Sequence, residues 1–236
     1  MPTLLLEALE EHSAALRSAT RVYVGFSGGI DSHCLLHALT TFSQNEPLPS
    51  VTAIHVNHGL HADADACEMQ CRKIAGELGV DIVIERVGVK SKPSLEAQAR
   101  TARYEIFQKY LTENTLLLLA HQLDDQVEPV LFRLIRGAGA TGLSGIPKTR
   151  PVGAGNLLRP FLGVHRSDIE AYASELGIQS IHDSSNDDLA LDRNFLRHQV
   201  LPMIEARWPG YRSGISRTAQ IMGSIDDAST DAWYQC

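Results

Sequence analysis

The sequence predicts an α/β protein built on a parallel, twisted sheet with helices on both faces. Three observations carry that expectation. Short runs rich in Val, Ile and Leu alternate with longer helical stretches, a pattern that implies parallel strands joined by right-handed crossovers. The run Thr115-Leu116-Leu117-Leu118-Leu119-Ala120 has no polar alternation, as expected of a strand buried on both faces. The run Val22-Tyr23-Val24-Gly25-Phe26 empties into Ser27-Gly28-Gly29-Ile30-Asp31-Ser32, and then into a helix.

Taken in order, a first amphipathic helix is expected over 3–18, and 22–26 is the first strand. The glycine-rich turn and its helix run to about Phe42, and Gln44-Asn45-Glu46-Pro47-Leu48-Pro49 breaks the chain. The β-branched run Val51-Thr52-Ala53-Ile54-His55-Val56 is the second strand. A helix over 64–78 ends at Gly79, and 81–87 is the third strand. A long helix follows from Ser94 to about Thr112, and 115–120 is the fourth strand. Ligands of such sheets bind at the carboxyl ends of the strands. Three polar clusters fall there: the turn 27–32, His55-Val56-Asn57-His58-Gly59, and His121-Gln122-Leu123-Asp124-Asp125.

Composition narrows the function. The 236 residues suit one large α/β domain, or one with a partial second, and the 44% apolar content is ample for a core. No stretch approaches the ~20 apolar residues of a membrane span, and no signal-peptide pattern opens the chain. Four cysteines, Cys34, Cys67, Cys71 and Cys236, are too few for a disulfide scaffold, so a cytoplasmic setting is expected. Cys67 and Cys71 lie one helical turn apart and are read first as buried thiols, with metal binding as the alternative. The net charge of −7 has the wrong sign for a general nucleic-acid binder. Yet residues 129–167 contain no Asp or Glu and include Arg133, Arg136, Lys148, Arg150, Arg159 and Arg166. That segment is either a local polyanion surface or ordinary solvated surface.

The turn Ser27–Ser32 has the chemistry of an anion cradle. Paired glycines let backbone N–H groups converge, and a helix N-terminus adds partial positive charge. It is not a Walker loop, because no Gly-Lys-Ser/Thr follows at the required spacing. The second cluster of interest is Asp124-Asp125-Gln126-Val127-Glu128, in which Asp125 and Glu128 share a helix face. Two carboxylates beside phosphates call for a cation, either Mg²⁺ or a substrate ammonium.

The loop resembles the S-G-G-x-D-S pyrophosphate-binding loop of the N-type ATP pyrophosphatases. Further residues follow in order: His55-Val56-Asn57-His58-Gly59-Leu60, Ser94-Leu95-Glu96-Ala97, Ala102-Arg103-Tyr104, 120–137, Arg193-Asn194, Arg197 and Val200-Leu201-Pro202. Together they resemble the N-terminal domain of the tRNA(Ile)-lysidine synthetase family over about residues 20–205. The resemblance implies a Rossmann-like, adenine nucleotide alpha hydrolase-like PP-loop fold over 1–208. It reads 209–236 as the start of a helical linker, with the family's C-terminal domains absent.

The implied activity is a ligase reaction. ATP adenylates the C2 oxygen of the wobble cytidine in isoleucine tRNA with a CAU anticodon. The ε-amine of free L-lysine then displaces AMP to form lysidine. Ser27, Gly28, Gly29, Ile30, Ser32 and His55 are implied for ATP, with Asp31 organising the loop or a Mg²⁺ ion. Asp125 and Glu128 are implied for lysine, with Mg²⁺ at Asp125 as the alternative. Arg103 and Arg193 are implied for phosphate or base, and Asn194 for bracing its neighbours. A homodimer stays open.

Two departures stand out. Pro129 follows Glu128, where relatives carry a residue with an N–H, and is read as marking a helix start. Gln122 replaces a His common in relatives. Two rival readings are a tRNA thiolase of the same superfamily, for which Cys67 and Cys71 are poorly spaced, and a catalytically silent nucleotide- or tRNA-binding fragment.

Overall fold

The computed structural model describes residues 3–59, 64–88, 95–179 and 191–234. Leu60, Ser94 and Cys236, named above, lie outside them. The chain forms two compact units: residues 1–120 with 149–182, and residues 121–148 with 183–236.

The first unit holds a six-stranded sheet. Its elements are α1 (Thr3–Glu10), α2 (Ser13–Ser18), β1 (Arg21–Gly25), α3 (Ile30–Asn45), β2 (Val51–Asn57), α4 (Ala64–Glu77), β3 (Asp81–Arg86), α5 (Leu95–Tyr110) and β4 (Thr115–Leu118). After the second unit's first segment, the strands and helix of the same unit resume; numbered along the chain, these are β5 (Thr149–Val152), β6 (Gly155–Leu158) and α8 (Arg166–Glu175). The strand order is β3-β2-β1-β4-β6-β5. β1 pairs in parallel with both β2 and β4, which makes its carboxyl end central. Val22 and Val24 enter one core with Leu5, Leu9, Leu16, Leu35 and Leu39, whereas Tyr23 enters the opposite core with Phe107 and Leu117. This alternation is the period of a strand covered on both sides.

The parallel sheet was expected; its last two strands were not. β5 and β6 form an antiparallel hairpin, and β6 then pairs in parallel with β4. Pro151 lies inside β5, and a proline within an apolar run argues against a central strand. β5 is an edge strand, where a missing N–H costs little. The expected single helix over 3–18 is two helices. The chain leaves helical geometry at His12 (φ −113°, ψ 10°), and Leu5, Leu9 and Leu16 all reach the same core.

The second unit is helical. It contains α6 (Leu123–Ile135), α7 (Ala140–Leu143), α9 (Asp192–Phe195), a π-helical turn (Leu196–Val200), α10 (Leu201–Arg207) and α11 (Tyr211–Tyr234). Its core joins Leu123, Val127 and Leu201 to Leu131, Ile204, Tyr211 and Ile215. Pro129 is not at a helix start: α6 begins at Leu123 and carries Pro129 inside. Gln122 caps that helix. Its side chain accepts from the Asp124 N–H at 2.7 Å, and the Asp125 carboxylate accepts from the Gln122 N–H at 2.9 Å. Among the described residues no helix is long and apolar enough to cross a membrane.

Candidate functional site

One candidate site is the turn between β1 and α3 in the first unit. Gly28 has φ +83°, a left-handed conformation that any Cβ would strain. Gly29 caps α3 with extended geometry, and its carbonyl accepts the first helical bond from the His33 N–H at 3.0 Å. The two serines lock the turn. Ser32 Oγ donates to Gly29 O at 3.0 Å and accepts from the Ser27 N–H at 3.2 Å, while Ser27 Oγ lies 3.1 Å from Ser32 Oγ. The Gly29 N–H donates to Ser27 Oγ at 3.3 Å. Side-chain oxygens therefore fix the turn, and Ile30, Asp31 and Ser32 occupy the first turn of α3. The N–H groups of that turn have no partner within the helix and point out along its axis. Such a helix N-terminus favours an anion.

Asp31 lies in this turn and is engaged by Arg166, whose guanidinium reaches its two oxygens at 2.5 and 2.7 Å. Arg166 also holds Glu170 at 2.9 Å. No local pattern marks this partner, 135 residues away.

His55, at the end of β2, is buried. Its Nδ1 lies 2.9 Å from Phe26 O and 3.4 Å from Cys71 Sγ. Burial lowers its pKa, opposed by the Phe26 bond and Glu68 and assisted by Arg103 and Arg72. His58 is pushed down to about 4, by burial first and then by Arg103 and His55. Arg103, exposed on α5, is close enough to His55 and His58 for its charge to lower both. Asn57 Nδ2 donates to Glu68 at 3.2 Å, and Arg86 holds the same carboxylate at 2.9 Å.

A second candidate site, an acid–arginine cluster, lies in the helical unit. Asp125 and Glu128 do share a face of α6, because one side chain meets both. Arg193 Nε donates to Glu128 Oε2 at 2.5 Å, and its other end holds Asp125. Arg197 Nε donates to Glu128 Oε1 at 2.6 Å. Both Glu128 oxygens are thus engaged and its side chain is 1% exposed, whereas that of Asp125 is 13% exposed. Asp124 binds Arg212 at 2.5 Å, and Arg212 also holds Glu205. Asn194 is buried beside Arg193. Sequence reasoning singled out Asp125, Glu128 and Arg193 but missed Arg212. Nothing in its local pattern separates it from other surface arginines.

The fold and the turn at the N-terminus of α3 define an α/β protein with an anion-binding loop at a strand's carboxyl end. A PP-loop domain profile matches residues 4–204, and the chain belongs to the PP-loop family of ATP-binding domains. It is 46% identical to a tRNA(Ile)-lysidine synthase of Pseudomonas syringae over 223 residues, which is 94% of this chain and 49% of that protein. It is 43% identical to a tRNA(Ile)-lysidine synthase of Pseudomonas aeruginosa over 96% of this chain and 52% of that one. It is 42% identical to another from Coxiella burnetii, over 90% and 48%. The chain spans about half the length of the curated relatives it matches. Among solved structures it is similar to a U34-tRNA thiolase of Methanococcus maripaludis that carries a 4Fe–4S cluster. The TM-score is 0.73 with 19% identity, over 94% of this chain and 78% of that one, which speaks to the fold.

Proposed function

We propose that this chain supplies the ATP-dependent chemistry of lysidine formation. ATP adenylates the C2 oxygen of the wobble cytidine of isoleucine tRNA with a CAU anticodon, and free L-lysine then replaces AMP at C2. The observation that carries this reading is the Ser27–Ser32 turn, a serine-locked anion cradle at a helix N-terminus, in a chain 46% identical to a tRNA(Ile)-lysidine synthase over 94% of its length. Residues 1–208 carry the activity in this reading, residues 209–236 lead on from it, and the setting is cytoplasmic.

In the first step the cytidine O2 bonds to the α-phosphorus, and the bond from that phosphorus to the β-phosphate oxygen breaks. The backbone N–H groups of Gly28, Ile30 and Ser32 hold the leaving pyrophosphate and stabilise charge as it develops, while Ser27 and Gly29 keep the turn in shape through their bonds to the serine hydroxyls. His55 fixes the start of the turn through Phe26 O. In the second step the lysine Nε bonds to C2, the C2–O bond breaks, and AMP leaves. Asp125, with its partial exposure, receives the ammonium. Glu128 holds Arg193 and Arg197 in place, and Arg103 and Arg193 steady phosphate or base. That Asp125 and Glu128 already hold a guanidinium supports a cation-binding role for them. The carboxylates of Asp31 and Asp125 are the hard oxygen donors that would hold Mg²⁺, each on release of its arginine, and the ion would neutralise pyrophosphate charge.

The test is pyrophosphate release by this chain with ATP, L-lysine and unmodified isoleucine tRNA. Release that requires the tRNA, and a lysine-dependent tRNA product, are expected. ATP binding without tRNA-dependent release would overturn the reading in favour of a nucleotide-binding fragment.

A further inference from the structure

One cluster in the first unit has no part in that mechanism as a set. We propose that His55, Cys67 and Cys71 form a binding site for a single soft cation of the Zn²⁺ type, set against the first residue of the phosphate turn. One ligand atom from each residue lies within 4.8 Å of the other two. The Cys71 Sγ to His55 Nδ1 separation is 3.4 Å. A tetrahedral zinc ion with bonds of ~2.3 Å to sulfur and ~2.0 Å to nitrogen needs S···N edges of ~3.5 Å and S···S edges of ~3.8 Å. The three side chains are therefore within small rotations of coordinating geometry.

The ligand chemistry fits as well. Two thiolates and an imidazole form a donor set that selects Zn²⁺ over Mg²⁺ or Ca²⁺. His55 and Cys71 are buried, which supplies a dry, fixed pair, and half-buried Cys67 supplies an entry path. Coordination through His55 Nδ1 would replace its contact with Phe26 O and leave the ring proton on Nε2.

Occupancy would be felt at the turn. The Cys67 thiol donates to Ser27 O at 3.6 Å, and metal binding removes that proton. The carbonyl then loses its donor, and the turn loosens. Weaker nucleotide binding in the metal-loaded protein follows, and this consequence rests on the turn being the phosphate site.

The experiment titrates the untagged 236-residue chain with Co²⁺ as a spectroscopic stand-in, then with Zn²⁺, and measures ATP affinity with and without Zn²⁺. A thiolate-to-cobalt charge-transfer band saturating at one ion per chain and bleached by Zn²⁺ is expected. Cys67→Ser and Cys71→Ser should each weaken Co²⁺ binding at least tenfold, while Cys34→Ser, which alters a thiol bonded to Ile169 O, should not. Because Cys71 is a core residue, the half-buried Cys67 variant, checked by circular dichroism, decides the matter. Absence of the band, a band that survives Cys67→Ser, or iron–sulfur absorption in its place overturns the site. A band with unchanged ATP affinity overturns the coupling to the turn. Failure to bind ATP even without metal sinks the phosphate reading and leaves the metal site standing.

Discussion

Glu128 shows how one buried carboxylate organises its surroundings. Each of its oxygens accepts from a different arginine, Arg193 and Arg197, and both arginines come from the stretch 192–200, far along the chain. Removing one partner of a fully buried ion pair costs about 3–5 kcal/mol. Here the arginine side chains are 47% and 31% exposed, so they can turn to water and the cost is smaller. Glu128→Gln is expected to lower stability by about 1–2 kcal/mol, seen as a lower urea midpoint with an unchanged slope; an unchanged midpoint would show the pair to be energetically idle. His58 gives a pH signature. Both ring nitrogens are buried without a hydrogen-bond partner among the described residues, and its pKa is pushed down to about 4 from 6.5. Between those values the unfolded chain binds a proton at this residue and the folded chain does not, so stability rises with pH across that window. Burial lowers His33, His37 and His55 in the same direction. Stability should therefore fall as pH drops from about 6.5 toward 4, and His58→Gln should flatten that fall. A pH profile of the melting temperature that the substitution leaves unaltered would refute the assignment. His58 was legible only as part of a polar cluster after a strand. Its lowered pKa comes first from burial and then from the charge of Arg103 on α5, a residue far along the chain.

At the level of elements, α6 carries a proline where a helix ordinarily cannot afford one. A proline in a helix interior removes one N–H and crowds the carbonyl four residues back, which for Pro129 is that of Asp125. The helix persists because its start is doubly capped by Gln122 and Asp125, and because Val127 and Leu123 are packed against Leu201. Pro129→Ala is expected to raise stability by up to about 3 kcal/mol, measured by urea denaturation. A loss of stability instead would show that the proline's fixed backbone is what aligns Asp125 and Glu128 with Arg193. The turn after β1 and the elements around it were legible, because glycine punctuation and buried apolar runs are local signals. The β5–β6 hairpin was not. Its pattern is broken by Pro151 and by the glycine turn, and its pairing is decided by contact with β4. Gly155 sets that contact: a Cβ there would meet Thr115 Oγ1 at 2.7 Å and Thr115 O at 2.8 Å. Gly155→Ala should therefore cost about 1–3 kcal/mol in the same denaturation assay, as overpacking against a backbone atom does. A neutral result would mean that the edge hairpin shifts freely.

Over the whole molecule, a net charge of −7 coexists with an acid-free stretch at 129–167, and the sequence alone left open whether that stretch is a polyanion surface. The structure divides its six cations by what each touches. Arg159 is 1% exposed and donates to Tyr104 Oη at 3.4 Å. Arg166 is tied to Asp31 and Glu170, and Arg133 donates to the carbonyls of Gly142 and Gly145. Arg136, whose guanidinium lies 5.1 Å over the Phe132 ring, and Lys148 are exposed, and Arg150 is half-exposed over the Tyr104 ring, at 4.5 Å from its centroid. Charge counting by sequence thus overstates the surface about twofold, since side-chain partners far along the chain cannot be read from a local run. If the chain binds RNA as proposed, three phosphate contacts rather than six set its salt dependence. Single-stranded contacts contribute about −0.7 each to the slope of log affinity against log salt, so a slope near −2 is expected from this stretch, where six would give about −4. Arg136→Ala or Lys148→Ala should each flatten the slope by about 0.7 in an anisotropy titration with isoleucine tRNA, and weaken binding without regard to sequence. Arg159→Lys should leave the slope unchanged, because that guanidinium is inside the fold. If the slope is near −4, or does not respond to Arg136→Ala and Lys148→Ala, phosphate binding runs through other cations of the chain, and the acid-free stretch is solvated surface.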